Sequence, residues 1–530
     1  MRLLRPRPLD FGPLLETLAD RGSPTTVRLS RPLDLAPDAG CVWTIPQLAE
    51  LVREMSAVLA AAKVRPGDRV AIHKRNHWDY ALLAAAAARI GAVPALISAV
   101  LPPEALAALL ARLRPALLLS DRATLAGAAD RPAVPTVCLD GAMPGATDLA
   151  DLLGSAVPAV HRRADDEPLV IMHTSGTTGV PKLVVHSTRS LVRRITGFEA
   201  RPWPVTAVRP SDTTASAVSF AHGRAVSWTI STLWARPENA LALADDGPAA
   251  VQLLREHPPT IVEAAPAVYQ HWQPLAAEPD GPFAGVRLFI STFDAVHPPT
   301  VRAFLDASDR RFPVWMQAWG QSETGPLSFR FFVRRSLARR DERHPTTRDL
   351  GRPVPGWVGL RVVDPTTGRR LPRGQVGLLQ ARVPGLCQGY VGEPERWAAK
   401  RDGRWFSTGD IGTRTRTGGV RVLDREVDMM PGASCVELED VLHERLPEVE
   451  EAVVLGAGPG QPALPLLVTR DGLLDPGRWR HAVRDLPPLA EPLLLGWEAL
   501  PRTGTGKVRR NVLRDRYLAD TARYGSGQWT

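Results

Sequence analysis

The amino-acid sequence predicts an α/β protein: a large N-terminal domain of α/β layers with a small β subdomain, then a small α+β C-terminal domain. Three observations predict it. Strand-length apolar runs alternate with helix-period segments from Thr44 to about residue 330, the pattern of parallel strands joined by helical crossovers. Between about 350 and 423 Gly and Pro become frequent and helical periodicity fades, which favours short strands and turns. After Asp424 a compact helix–strand–strand–helix pattern returns. At 530 residues the chain suits two or three domains, and the boundary is drawn between residues 1–423 and 424–530.

Taken in order, Leu48, Leu51, Val52, Met55, Val58 and Leu59 recur at helical spacing, and Thr44 with Gln47 offers a capping box. RPGDRVAIH is a turn and a short strand. An alanine-rich helix runs to Ile90, and GAVPALIS is a buried strand after a glycine stop. PPEALAALLARLRP reads as helix and ALLLSD as strand. In the C-terminal part VELEDVLHERL is a helix, EAVVLG and LPLLVT are strands, a helix covers about 476–486, and a loop ends in PRTGTGKVRR.

Composition narrows the function classes. The net charge is +9, but the basic residues are spread along the chain, without the interleaved aromatics or finger signatures of nucleic-acid binding. An affinity for anionic small molecules is the better use of that charge. The four cysteines stand far apart, with no CxxC pair and no histidine cluster beside them, so neither a disulfide framework nor a zinc site is expected. The most apolar stretch, Ala81 to Leu101, is broken by Arg89, Gly91 and Pro94 and is no membrane span. The N-terminus lacks a signal-peptide core, so the expected location is cytoplasmic, without membrane or nucleic-acid partners. Only five of the 65 Lys+Arg residues are lysine: Lys63, Lys74, Lys182, Lys400 and Lys507. A coding bias towards arginine accounts for most of that imbalance; the corollary is that where lysine is kept, an ammonium is expected to be the group wanted.

The clearest chemical signal is LVIMHTSGTTGVPK, Leu169 to Lys182. An apolar strand feeds a loop of glycines and hydroxylated residues, closed by Pro181 and Lys182. Glycines let backbone N–H groups approach a polyphosphate, hydroxyls donate to its oxygens, and lysine adds charge. The spacing is not that of a P-loop.

This segment resembles the signature of the adenylate-forming superfamily, which includes acyl- and aryl-CoA synthetases. QAWGQSET (317–324) is similar to that family's Tyr-Gly-x-Thr-Glu segment, with Trp319 for Tyr and Ser322 for Thr. WFSTGD (405–410), LDREVD (423–428) and PRTGTGKVRR (501–510) resemble its Thr-Gly-Asp, hinge and C-terminal lysine motifs. FAHGRAVSW (220–228) resembles the segment before the acid pocket in benzoate-type CoA ligases.

The resemblance implies a reaction in which an acid joins the α-phosphate of ATP and pyrophosphate leaves. It implies phosphate contacts from Thr174, Ser175, Gly176, Thr177, Thr178, Gly179 and Lys182. Glu323 would hold Mg2+, since a hard cation prefers carboxylate oxygen. Asp410 and Arg425 would hold the ribose, and Ala318, Trp319 and Gly320 would pack on adenine. Lys507, on a mobile C-terminal domain, would bridge acid and α-phosphate as the catalytic lysine. Phe220, His222, Thr292 and Phe293 would shape the acid pocket, with His222 and Glu323 counted among the catalytic residues.

Two departures from the family pattern bear on the substrates, the first on the acceptor and the second on the acid. Asp424 stands for the usual hinge glycine, Val427 for the usual Asp or Lys, and the loop from Asp428 to Glu437 looks about four residues short. In LFISTFDAVHP, Phe293 occupies a place where the family often has glycine, so a small acid is expected. The expected function is therefore an ATP-dependent ligase activating a small aromatic carboxylic acid and passing it to CoA or another nucleophile. The alternative is a diazotase that activates nitrite so that an aromatic amine becomes a diazonium, without CoA. The oligomeric state is left open.

Overall fold

The computed structural model describes residues 9–127, 134–174, 181–337, 348–425, 434–457 and 461–518. The elements expected from periodicity are present. The first long helix spans Ile45–Ala61, opened by a complete Thr44/Gln47 capping box. It is followed by strand Arg69–Lys74, helix Asp79–Arg89, strand Val93–Ser98, helix Pro103–Leu113 and strand Leu117–Ser120.

Two large sheets carry the N-terminal part. One has eight strands, with Arg69–Lys74, Val93–Ser98 and Pro168–His173 at its centre, all parallel. The other has nine, with Thr213–Ala217, Ile261–Ala264, Leu288–Ser291 and Val314–Gln321 adjacent and parallel. One hydrophobic cluster joins strand residues of both sheets, Val70, Leu96 and Val170 with Val27 and Ala240, to the helices Ile45–Ala61, Asp79–Arg89 and Gly223–Ala235. The helix Asp79–Arg89 is buried at every position. Its run of alanines explains how: methyl-sized side chains let a helix lie close-packed on all sides.

The glycine-rich stretch forms a five-stranded sheet, with Trp405–Arg414 pairing Val376–Arg382 on one side and Val420–Arg425 on the other. The boundary expected at 423/424 falls inside the strand Val420–Arg425. Beyond it, helix Cys435–Arg445, strands Val449–Leu455 and Leu464–Thr469 and helix Pro476–Val483 enclose a core of their own, including Leu438, Leu442, Leu467 and Trp479. All four cysteines are free thiols. Among the described residues no helix is long and apolar enough to cross a membrane.

Candidate active site

A cavity of about 1380 Å³ opens where the C-terminal ends of the parallel strands meet the five-stranded sheet and the loop bearing Lys507. Ligand sites form there because strand ends leave backbone and loop groups unpaired at a crevice.

The glycine-rich loop leaves the strand Pro168–His173 and returns on Leu183–Ser187. Its mouth is closed by two hydrogen bonds, Thr174 N–H to the Lys182 carbonyl at 3.0 Å and Lys182 N–H to Thr174 Oγ1 at 3.1 Å. Ser175, Gly176, Thr177, Thr178 and Gly179 lie outside the described residues. Lys182 Nζ donates to Glu323 Oε1 at 3.2 Å, and the Tyr390 hydroxyl donates to the same oxygen at 2.7 Å. Burial works against the Glu323 charge, but Lys182 and Tyr390 outweigh it and hold the carboxyl below its usual range. A charged, hard oxygen donor facing the cavity fits Mg2+, and Glu323 with the hydroxyl of Thr174 would supply it.

The second corner is built on Asp410, almost fully buried in strand Trp405–Arg414. Trp319 Nε1 donates to it at 3.1 Å, Gln321 Nε2 at 3.0 Å and Arg425 Nε at 3.1 Å. Strand register places Arg425 opposite Asp410. The carboxylate is thus preorganised by three donors, with charge-assisted bonds among them. Ala318, Trp319 and Gly320 line the cavity. At Gly320 a Cβ would stand 2.4 Å from the Gly325 carbonyl oxygen, so only glycine allows this hairpin to close.

The third corner contains His222, Phe293, Thr292 and Lys507. His222 caps the helix Gly223–Ala235: its Nδ1 accepts from Arg224 N–H at 3.0 Å. The ring proton therefore sits on Nε2, which faces Ser322 Oγ at 3.3 Å. Burial, then the neighbouring His173 and Lys507, push the His222 pKa down to about 3, so the ring is neutral. Phe293 meets it edge-on at 4.9 Å, with φ of +82°. The backbone at 293 thus keeps the left-handed conformation that favours glycine, while the ring turns inward and narrows the pocket. Lys507 reaches the cavity on a tight loop, in which Thr503 N–H donates to the Lys507 carbonyl at 2.8 Å and Lys507 N–H to Thr503 Oγ1 at 3.2 Å. Burial lowers its pKa, with Asp294 opposing.

One expected pocket residue is elsewhere. Phe220 is fully buried in the core between the two sheets and does not line the cavity. Its N–H donates to Asn76 Oδ1, which fixes the turn before His222. The motif match placed it in the pocket by proximity in sequence, but the ring points to the apolar side.

Several cavity groups went unassigned in the sequence. Arg224 makes a bidentate pair with Glu263, at 2.6 and 2.8 Å, and also pairs with Glu199. All three line the cavity near Trp228; burial raises the Glu199 pKa against the pull of Arg224, so the wall offers two carboxyl groups around one guanidinium. Gln321, in the cavity wall, supports Asp410, and Tyr390, behind that wall, supports Glu323. Lys400 lines the cavity too, so three of the five lysines do; their scarcity was the available signal. Lys74 is different: it is fully buried between Asp34 at 2.5 Å and Asp79 at 2.8 Å.

Residues 22–391 match the AMP-binding enzyme family. The chain belongs to that family. It is an ATP-dependent adenylate-forming enzyme. It is 37% identical to the 3-amino-2-hydroxy-4-methoxybenzoate diazotase of Streptomyces cremeus, over 97% of this chain and 96% of that protein. It is 28% identical to the anthranilate–CoA ligase of Pseudomonas aeruginosa, over 92% and 95%. In fold it is similar to the anthranilate CoA ligase AuaEII in complex with anthranoyl-AMP, with a TM-score of 0.79, 20% identity and coverage of 97% and 99%. A benzoate CoA ligase from Burkholderia xenovorans LB400 gives a TM-score of 0.77 at 20% identity, over 95% and 99%.

Proposed function

We propose that this adenylate-forming enzyme activates a small acid with ATP in a cavity made for an aromatic ring bearing hydrogen-bond donors. The observation that carries the reading is the Glu199–Arg224–Glu263 wall beside Trp228. A wall with carboxyl acceptors suits a ring amino or hydroxyl group. Fatty chains would leave those buried charges facing hydrocarbon.

The residues divide the work. Thr174, Lys182 and the glycine-rich loop hold the polyphosphate, and Glu323 holds the Mg2+ that neutralises it. Asp410 and Arg425 hold the ribose, and Ala318, Trp319 and Gly320 border the base. Lys507 places an ammonium between the acid and the α-phosphate, offsetting two anions that must meet. Neutral His222 donates from Nε2 rather than adding charge. The unit carrying Lys507 begins after the strand ending at Arg425, and in our reading it moves as a body.

In the first form of this reading the ring's own carboxylate is adenylated and passed to CoA or another nucleophile, as the names of the anthranilate and benzoate ligases suggest. A second form is favoured by the 37% identity to a diazotase and by the Phe293 ring that narrows the acid end. There nitrite attacks the α-phosphorus and pyrophosphate leaves. The ring amine then attacks the nitroso nitrogen, AMP departs, and loss of water gives the diazonium.

A pyrophosphate-release screen with benzoate, aminobenzoates, fatty acids and nitrite tests this. Release with an aminobenzoate alone, followed by CoA thioester on adding CoA, is the expected result for the first form. Release requiring nitrite together with the aminobenzoate, independent of CoA, selects the second. Equal turnover of unsubstituted benzoate and fatty acids would overturn both.

A further inference from the structure

We propose that His297, His443 and Glu451 form a site for one divalent transition-metal ion of the Zn2+ type. The ion would join the cavity loop after Phe293 to the C-terminal segment that carries Lys507. The inference stands apart from which acid is activated.

His297 precedes the helix Pro298–Asp306, His443 lies on the helix Cys435–Arg445, and Glu451 lies on the strand Val449–Leu455. One ligand atom from each falls within 4.8 Å of the others, and all three residues are buried. The outer nitrogen of each ring is already occupied. His297 Nδ1 donates to Asp440 Oδ1 at 2.7 Å, and the His443 ring has the Val449 main chain as hydrogen-bond partner. The inner nitrogens differ. His443 Nε2 is buried without a hydrogen-bond partner, in a residue 7% exposed. His297 Nε2 faces Glu451 Oε1 at 3.8 Å in a long ion pair, whose proton a metal ion would displace. The two rings stack, with centroids 3.8 Å apart and planes 21° apart, so both must turn about their anchored edges for the inner nitrogens to meet on one ion.

An orphaned buried ring nitrogen is costly unless something occupies it. An imidazole whose far N–H is tied to a carboxylate or a carbonyl presents its other nitrogen as a lone pair, the arrangement that orients metal-bound histidines. Two imidazoles and one carboxylate select zinc and its neighbours over Mg2+ or Ca2+, which take all-oxygen sets. Water would complete the coordination. Glu451 also accepts from Arg502 at 2.7 Å, five residues before Lys507. An ion here would therefore tether the lysine loop to the wall of the active site.

The test uses the full chain, stripped by chelator and dialysed, then titrated with ZnCl2 in a calorimeter, with metal content measured after desalting. One Zn2+ per chain, a rise in Tm and no response to MgCl2 are expected. Co2+ should give the visible d–d bands of a four- or five-coordinate ion. His443→Phe keeps the stacked ring and removes the ligand atom, and should weaken Zn2+ binding by at least about tenfold. Glu451→Gln is a second ligand variant with the same expectation, should the first fold poorly. Absence of stoichiometric Zn2+, or wild-type affinity in a folded ligand variant, would overturn the site.

Discussion

Lys507 is a compact ammonium on a loop pinned by Thr503, not a free surface residue. Lys507→Ala should slow acid-dependent pyrophosphate release by about a hundredfold or more, the scale of losing one charge-stabilising group. ATP affinity, read by calorimetry, should hardly change, because Asp410 and Glu323 keep their partners. His222 makes a separate prediction. Its pKa is about 3 and that of buried His73 about 4, both below the ordinary 6.5. Between those values the unfolded chain binds more protons than the folded one, so stability falls as pH drops below about 6.5. Urea midpoints measured from pH 7 to 4 should decline, and His222→Gln should flatten that slope. A pH–rate profile should show no His222 ionisation near neutrality.

At the scale of elements, the loop 501–507 docks through glycine rather than through side-chain grip. A Cβ at Gly504 would stand 2.2 Å from Ser98 Oγ and 2.9 Å from Ser98 Cβ. Ser98 ends a central strand of the eight-stranded sheet, and that strand has no room to retreat from a buried sheet. Gly504→Ala should therefore push the loop outward and lower the adenylation rate with little effect on nucleotide binding. Adding Ser98→Gly should restore much of the rate, and stopped-flow pyrophosphate release in the double variant would read that coupling. The same element logic explains Phe293. Its +82° φ turns the chain as a glycine would, and the residue then contributes a ring where glycine contributes space.

For the molecule as a whole, buried charge pairs cross the contact between the cavity-bearing part and the C-terminal segment. Arg302 forms a bidentate bond to Glu444 at 2.7 and 2.8 Å, beside the His297–Asp440 pair. Glu444 is 2% exposed on its side chain, so removing its partner leaves a desolvated carboxylate. Arg302→Ala should cost about 2 kcal/mol of docking, the scale of a charged hydrogen bond lost at a buried acceptor. Hydrogen exchange across residues 434–518 should rise, and adenylation should slow in parallel. Exchange unchanged from wild type would show that these pairs do not hold the segment in place.

Much of this protein was legible in one dimension because the deciding interactions are local. The capping box at Thr44 and Gln47, the alternation of strands and helices, and the loop ending in Lys182 all depend on neighbours a few residues apart. Asp410, Glu323 and Lys507 could be singled out because each sits in a short motif with its own chemistry. What only tertiary structure decided involves groups far apart in the chain. Phe220 went to the core because the helix entry at His222 turns its ring away from the cavity. Tyr390 reached Glu323, and Glu199 and Glu263 converged on Arg224, across strands whose order no local pattern encodes. The absence of any cysteine–histidine spacing argued against a zinc site, yet His297, His443 and Glu451 meet from three separate elements. Spacing rules see ligands that share one turn or one hairpin, while sheet order and the packing of two cores bring together residues the chain keeps far apart.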